Sequence, residues 1–536
     1  MFVIFSIAIP LVMSLVLLGI HIRRPNFRFF WLIAAITALI TWTMIFLGYL
    51  RIPQTIPIIT WRPIDLFPVS PSLLLDDISW VYSISLVTLL LAVILTAVTR
   101  VLDPEYSAEE TVSSEWSNWA SSLAFISLGL VTTLAGNLIT LLLAWVALDL
   151  FELSIRIRDA AQRGETDRIV LAFATRIMGI MLVMWAIVSA QSANMSINLN
   201  SINPQIGVYL VLAAGFRLGV IPVHMPAIKG STYQQGFGTL IRLLPAASSL
   251  MLLGRIASQG MPPQSMLIFI LIASLAALYG AFSWSTSSDE INGQPFWIIG
   301  VSALAMASAV QAQTAASLAW GAALLLSGGL IFLYTSRDRR LIFIPVLGIL
   351  GISGLPFTPA WLGMNMYTST MPVILWAIFI FSQTLLINGY FQFMVRPGRN
   401  MSGAERFIWV IYPWGLLLLP FVQYLATYLS MTLSMGVLEN PPDILASWPS
   451  FVASGLAALL ILWRTRGPTI PIHYGDILRK FLSLDWLYGF LESLYRVIVR
   501  IVTFIDQLVE GKGAVLWTIL LLTLLISLLT RIELGE

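Results

Sequence analysis

Sixteen apolar stretches run along this chain, and at about 20 residues each is long enough to cross a hydrocarbon core roughly 30 Å thick. They lie at 2–20, 29–50, 79–99, 117–135, 136–154, 168–190, 205–223, 236–256, 264–284, 295–313, 315–335, 340–362, 370–395, 405–431, 448–464 and 513–531. This repetition constrains the fold more than any other feature. In hydrocarbon every backbone N–H and C=O must be satisfied within the protein, which leaves helices or a closed barrel. Barrel strands need only about 9–11 residues, so segments of this length read as helices. The expected fold class is an all-α polytopic membrane protein with about 16 transmembrane helices. Only 10% of the residues are charged, against about 25% in soluble domains. That excludes a water-soluble enzyme. The first stretch lacks a basic start and a small-residue cleavage site, so it reads as a retained helix.

Other chemistry is excluded by what the chain lacks. It has no Cys and only three His, at positions 21, 224 and 473. Disulfides, iron–sulfur clusters, c-type haem and thiolate metal sites are therefore out of reach. Nothing resembles a phosphate-binding glycine loop, a metal cluster or a nucleophilic triad, so no cofactor is expected. The net charge of +3 comes mostly from Arg in short loops, an orientation signal with no nucleic-acid surface. Basic connections at His21–Arg28, Arg156–Arg168, Arg337–Arg340, Arg396–Arg406 and Arg464–Lys480 all fall on one side if the spans alternate. The positive-inside rule then puts both termini on the non-cytoplasmic side of an inner or energy-transducing membrane. Between the last two spans, residues 476–510 carry nine charges among Leu, Trp, Phe, Ile and Tyr, with Arg496 and Arg500 one turn apart. This pattern predicts an amphipathic helix along the membrane surface or against partner helices.

Ionisable groups inside a membrane are costly and are functional candidates by default. The fifth segment carries Asp149 and Glu152 on one helical face, either as functional carboxylates or as interfacial acids paired with Arg156 and Arg158. The sixth contains Arg176, within Ala172-Phe173-Ala174-Thr175-Arg176. The seventh contains Arg217, five residues before Pro222, and then His224. Proline inside a span tends to break the helix and build a polar site at mid-membrane. Arg217 is either part of such a site or a lock onto an acid such as Asp149. His224 is either a proton relay or a helix-end hydrogen-bonding group. The twelfth segment shows a matching break at Gly354-Leu355-Pro356, five segments on, which hints at an internal repeat. Yet no Lys or Arg occurs between Arg255 and Arg337, and no charged residue or His between Arg340 and Arg396.

Several short motifs lie in a telling order. They are Leu75-Asp76-Asp77-Ile78-Ser79, Asn137-Leu138 followed by Trp145, Ala172 to Ile177, Arg217 through Pro222-Val223-His224, Gly354-Leu355-Pro356, and Asp485-Trp486-Leu487-Tyr488 with Trp517. In that order and spacing they resemble the antiporter-like membrane subunits of respiratory complex I and of multisubunit cation/proton antiporters, closest to the NuoL type. The resemblance covers nearly the whole chain. It implies N-terminal helices one to three over 1–116, and inverted five-helix repeats over 117–256 (helices 4–8) and 264–395 (helices 9–13). Helices 7 and 12 would be broken at Pro222 and Pro356. Helices 14 and 15 would follow over 405–464, then a lateral helix over 476–510 and a last helix over 513–536. The family's proton path runs from a Glu in helix five to a Lys in helix seven, then through a central Lys or His to an acid or Lys in helix twelve. Here those positions hold Val146, Arg217, Ile241 beside Arg242, and Met364-Asn365. Asp149, Glu152, Arg176, Arg217, His224 and Arg242 remain as proton-path candidates.

Three functions follow from the resemblance. The first is an antiporter-like subunit of a complex I-type NADH/quinone oxidoreductase or related assembly, itself not catalytic, with weak or lost proton conduction and a structural role. The alternatives are an active proton- or cation-translocating subunit, or a membrane partner in an ion or bicarbonate uptake system. In each, the expected partners are other membrane subunits and the lipid bilayer, with redox subunits reached indirectly.

Overall fold

A computed structural model describes residues 2–25, 27, 29–58, 69–102, 116–160, 166–224, 236–367, 371–398, 401, 405–433 and 442–466, with scattered residues beyond. The chain divides into two units, Met1–Pro468 and Thr469–Glu536. In the first, each of the fifteen apolar segments up to 464 contains a helix. These are α1 (Phe2–Arg23), α2 (Phe30–Gly48), α3 (Asp77–Thr96), α4 (Trp116–Thr133), α5 (Leu138–Ala160), α6 (Thr166–Ser192), α7 (Pro204–Leu218) and α8 (Phe237–Gln259). They continue as α9 (Pro263–Ser285), α10 (Glu290–Val310), α11 (Thr314–Leu333), α12 (Phe343–Ser353), α13 (Val373–Val395), α14 (Arg406–Leu433) and α15 (Trp448–Arg466). Eleven helices among the described residues are long and apolar enough to span a membrane. The protein is an all-α, multi-pass membrane protein. In the second unit the described residues between Ser493 and Thr523 are helical. Most of the amphipathic stretch 476–510 and of the last apolar segment lies outside the described residues.

The helices pack by burial of uniformly apolar surfaces. Spans α8, α10 and α11 are buried along their length and α3 nearly so, while α1 and α6 are largely peripheral. The core therefore sits where α3, α8, α10 and α11 meet. The connections gather at two ends. At one, strand β1 (Gln54–Pro57) pairs antiparallel with β2 (Ser72–Leu75), Gln54 opposite Leu75. Bridges Leu73–Ala135 and Asn137–Asn198 then join the connections after α2, α4 and α6. At the other end, Glu290 lies 3.0 Å from Arg337 and 3.7 Å from Arg396, joining the connections after α9, α11 and α13. Two buried-face groups of loops, each holding alternate connections, are what an up-and-down bundle requires.

Helices α7 and α12 stop inside the bundle, and glycine rather than proline stops them. Leu218 is followed by Gly219 at φ 74° and Ser353 by Gly354 at φ 66°. This left-handed conformation costs other residues roughly 1–2 kcal/mol, and glycine adopts it freely. The Gly219 amide bonds back to Gly215 and Phe216, and the Val220 amide to the Gly215 carbonyl at 2.9 Å. Pro222 and Pro356 lie three and two residues beyond these caps, where a residue without an amide hydrogen cannot continue the helix. Replacing Gly219 or Gly354 by Val should lower the melting temperature of the detergent-purified assembly clearly. Pro222→Ala and Pro356→Ala should lower it less.

Candidate functional site

The candidate residues converge on the space between α5, α6 and α7. Asp149 and Glu152 lie one turn apart on the inner face of α5, 1% and 3% exposed. The outer face of the same helix carries Val146, Leu150 and Ile157, all exposed. Val146 thus faces away from the cluster, and Asp149 takes the inward place.

Arg217, in the last turn of α7, grips Asp149 with both ends of its guanidinium. Nη1 donates to Oδ2, and Nη2 donates to Oδ1 at 2.9 Å. The two side chains are 1% exposed each. Beneath the guanidinium lies the Trp145 ring, 4.2 Å from its carbon to the ring centroid. Trp145 is fixed in turn by its indole N–H, which donates to Ser248 Oγ on α8 at 3.0 Å. The aliphatic stem of Arg217 passes over Gly179 of α6, where a Cβ would sit 2.8 Å from Cγ. Only glycine lets α6 and α7 approach around this side chain. From Arg176 of α6, Nη1 donates to Glu152 and lies 3.6 Å from Asp149. Arg156, one turn beyond Glu152, closes the series at 2.6 Å. The result is a ladder of alternating sign: Arg217, Asp149, Arg176, Glu152, Arg156.

The two remaining candidates lie near the ladder, and each has a further hydrogen-bond partner outside it. Arg242 of α8 donates to Oε1 of Gln294 on α10 at 2.5 Å. His224, in the turns after Gly219, has Nδ1 2.8 Å from the Pro222 carbonyl. A carbonyl only accepts, so Nδ1 carries a proton and donates it. A small cavity of ≈ 20 Å³ adjoins the ladder, lined by Asp149, Glu152, Arg156 and Arg176 with Leu153, Ile169, Ala172 and Phe173. It has room for one water-sized group, which takes about 10–15 Å³.

A second ionic site was not singled out from the sequence. Asp76 caps α3, accepting from the Ser79 amide at 3.1 Å, and it pairs with Arg255 near the end of α8. Burial alone would raise the Asp76 carboxyl. The Arg255 guanidinium and the Ser79 hydrogen bonds outweigh it and hold the carboxyl below its ordinary value of 3.8. The cap signal, Asp followed three residues on by Ser, was present in the sequence. Nothing along the chain tied it to a residue 179 positions away.

The break in α12 is built differently. Its freed carbonyls meet neutral amides: Gln423 Nε2 of α14 donates to Gly351 at 3.0 Å, and Gln383 Nε2 of α13 to Ser353 at 2.8 Å. Ser327 of α11, within the π-helical turn Ala323–Ser327, donates to Gln423 Oε1 at 2.8 Å. Among the described residues of α9 to α13, Glu290 at the very start of α10 is the one charged side chain.

No family model matches the chain, and no curated protein sequence is similar to it. Solved structures are similar. One is a chain of the membrane-bound sulfane sulfur reductase (MBS), an archaeal respiratory membrane complex, with 14% identity and a TM-score of 0.68 over 98% of this chain and 99% of that one. Another is a chain of the Mrp complex from a Dietzia species, with 14% identity and a TM-score of 0.67 over 99% of this chain. This chain spans 63% of the Mrp chain's length. These likenesses show the fold. The chain is a multi-pass membrane protein with the fold of those two chains.

Two outcomes follow from the ladder and the cap. Arg217→Ala leaves the Asp149 charge buried without its partner, a loss of about 3–5 kcal/mol, and should sharply lower thermal stability and yield. The neutral pair Arg217→Met with Asp149→Leu should restore most of it, because apolar groups of similar volume replace a buried pair at little cost. At the other site, a depressed carboxyl stabilises the fold above its ordinary value of 3.8 and loses that contribution as pH falls through the depressed value. The gap in melting temperature between the native chain and Asp76→Asn should therefore be widest near neutral pH and close as pH falls below 3.8.

Proposed function

We propose that this chain is an antiporter-like membrane subunit of a complex I-type or Mrp-type assembly whose own contribution is structural, with proton conduction weak or lost. Its partners are other membrane subunits, with any redox subunits reached through them. Both termini face away from the cytoplasm, on the strength of the basic connections. The five-helix blocks 117–256 and 264–395 act as its two repeats, each with the break in its fourth helix.

One observation carries the structural reading: every acid in the ladder is held between guanidinium groups, and the second break is capped by glutamine. A proton relay needs groups that release and regain protons near neutral pH. Guanidinium stays protonated, and amides do not titrate. The pairs that in a pump would exchange protons instead join α5, α6 and α7 as fixed struts. Beyond Arg242 the described helices of the second block supply, apart from Glu290 at the start of α10, hydroxyls and amides, which order water but do not carry charge. The family's fold is kept while its relay positions hold Val146, Arg217, Ile241, Met364 and Asn365.

The test is proton stoichiometry in the reconstituted assembly. With the neutral pair Arg217→Met and Asp149→Leu in place, protons moved per turnover should stay at the native value. A clear fall with the assembly intact would refute the structural reading and restore an active one.

A further inference from the structure

At the end of the bundle opposite Glu290, the connection from α14 into α15 is built inside out. Residues 443–447 make one helical turn that runs into α15. The Ser447 amide donates to the Asp443 carbonyl at 3.1 Å, and the Trp448 amide to the Leu445 carbonyl at 3.3 Å. The polar side chain of the turn points inward: Ser447 is fully buried, and its Oγ accepts from the Trp361 indole N–H at 2.7 Å. The large apolar side chains point outward, Leu445 88% exposed, Ile444 53% and Trp448 47%. A connection that met only water would be arranged the other way round, and an exposed apolar patch of this kind marks a surface that something covers.

The patch continues onto the first turn of α13, where Val373 and Ile374 are exposed, and the two are joined by Trp376, whose ring lies 6.0 Å from that of Trp448. Further along the same two spans Phe381, Phe451 and Leu456 extend one apolar flank toward the bilayer centre. Charge offers a polar partner nothing to grip: no charged residue or His occurs from Leu341 to Val395, and Asp443 is the one charge in the turn. Residue type separates lipid from protein as the occupant. Tyr, Trp, Arg and Met anchor protein partners, whereas Leu and Val are scarce at such hot spots; aliphatic side chains enter hydrocarbon readily. Tyr367, Trp376 and Trp448 stand in a row at this level, with 5.6 Å and 6.0 Å between successive rings, and Tyr and Trp are the residues that settle at a membrane–water boundary. We propose that the turn 443–447 is immersed in the bilayer interface, with Ile444 and Leu445 among the phospholipid acyl chains and Asp443 at headgroup level. Trp361 belongs to the short helical segment Pro359–Met366 beyond the α12 break. Its bond to Ser447 therefore ties the far side of that break to a turn held by lipid.

The test needs no labelled side chain. The native protein is kept in its own membrane, which is doped with a phosphatidylcholine that carries a photoreactive diazirine in one acyl chain. After a flash, adducts are mapped by mass spectrometry, and a parallel sample is oxidised by hydroxyl radicals generated in the water phase. Residues 444–448 should carry lipid adducts at a yield comparable with that of Trp414, an exposed residue of the span α14, and should escape oxidation. Ile444→Ser combined with Leu445→Ser should lower the adduct yield on the turn about tenfold. An unchanged yield at Trp414 in the same sample reports that the bundle is still folded. Oxidation of 444–448 without adducts would put the turn in water, and neither mark would put protein over it; each result overturns the proposal. A double serine variant that takes up adducts as the native turn does would overturn the role given to Ile444 and Leu445.

Discussion

The bidentate pair between Arg217 and Asp149 is the contact on which the first half of the bundle depends. It lies where α7 stops, so it joins the free end of a broken helix to the middle of an intact one. Its strength comes from its surroundings. In a medium of low effective dielectric, opposite charges in contact attract far more than in water, and either charge alone is correspondingly costly. Trp145 beneath the guanidinium and Gly179 beside its stem leave that side chain one place to go. Arg176 and Glu152 extend the same logic to α6, so three helices are fixed by charges that cannot separate without leaving one another unpaired.

The two broken helices solve one problem with different chemistry. Ending a helix inside a membrane frees carbonyls that water cannot reach. At α7 the chain folds back on itself after Gly219, and the surrounding space is filled with charged groups. At α12 the freed carbonyls of Gly351 and Ser353 are met by the amides of Gln423 and Gln383, and the neighbourhood is neutral throughout. Amides satisfy carbonyls without adding a charge that must itself be balanced. The second half can therefore pack as densely as an ordinary core, with Trp284, Trp297 and Trp320 buried almost completely within it. A conducting path would need the reverse: hydrated space and groups that change charge.

The helices were legible because apolar length is a local property, readable one segment at a time. Arg217 and Arg176 stood out for the same reason, as single charges in long uncharged runs. What the sequence withheld was most of the pairing, although a lock of Arg217 onto Asp149 was one of its readings. Asp149 and Glu152 sit near the basic end of α5 and had an easy explanation in Arg156 and Arg158. Glu152 does meet Arg156, but Asp149 reaches Arg217, and the link through Arg176 depends on how α6 lies between them. Arg255 lies near the end of α8, and only folding brings Asp76 to it. Gln383 and Gln423 escaped notice because neither titrates; their role appears only once the α12 carbonyls beside them are seen. Proline is rare enough to catch the eye, whereas the positive φ of the glycine two or three residues before it is visible only in the folded chain.

A broken-helix fold does not require titratable groups, because folding and proton transfer answer to different forces. The fold requires that spans stay apolar, that interrupted helices be capped, and that any buried charge be paired. None of these demands a proton acceptor. Arg217 suits the fold in a way an ammonium would not: guanidinium holds a carboxylate in two places and keeps its charge under all physiological conditions. A proton relay must vary its protonation state, and guanidinium does not. On the structural reading proposed above, the charges inside the membrane hold helices in place, and the property that makes Arg a good strut is the one that makes it a poor relay.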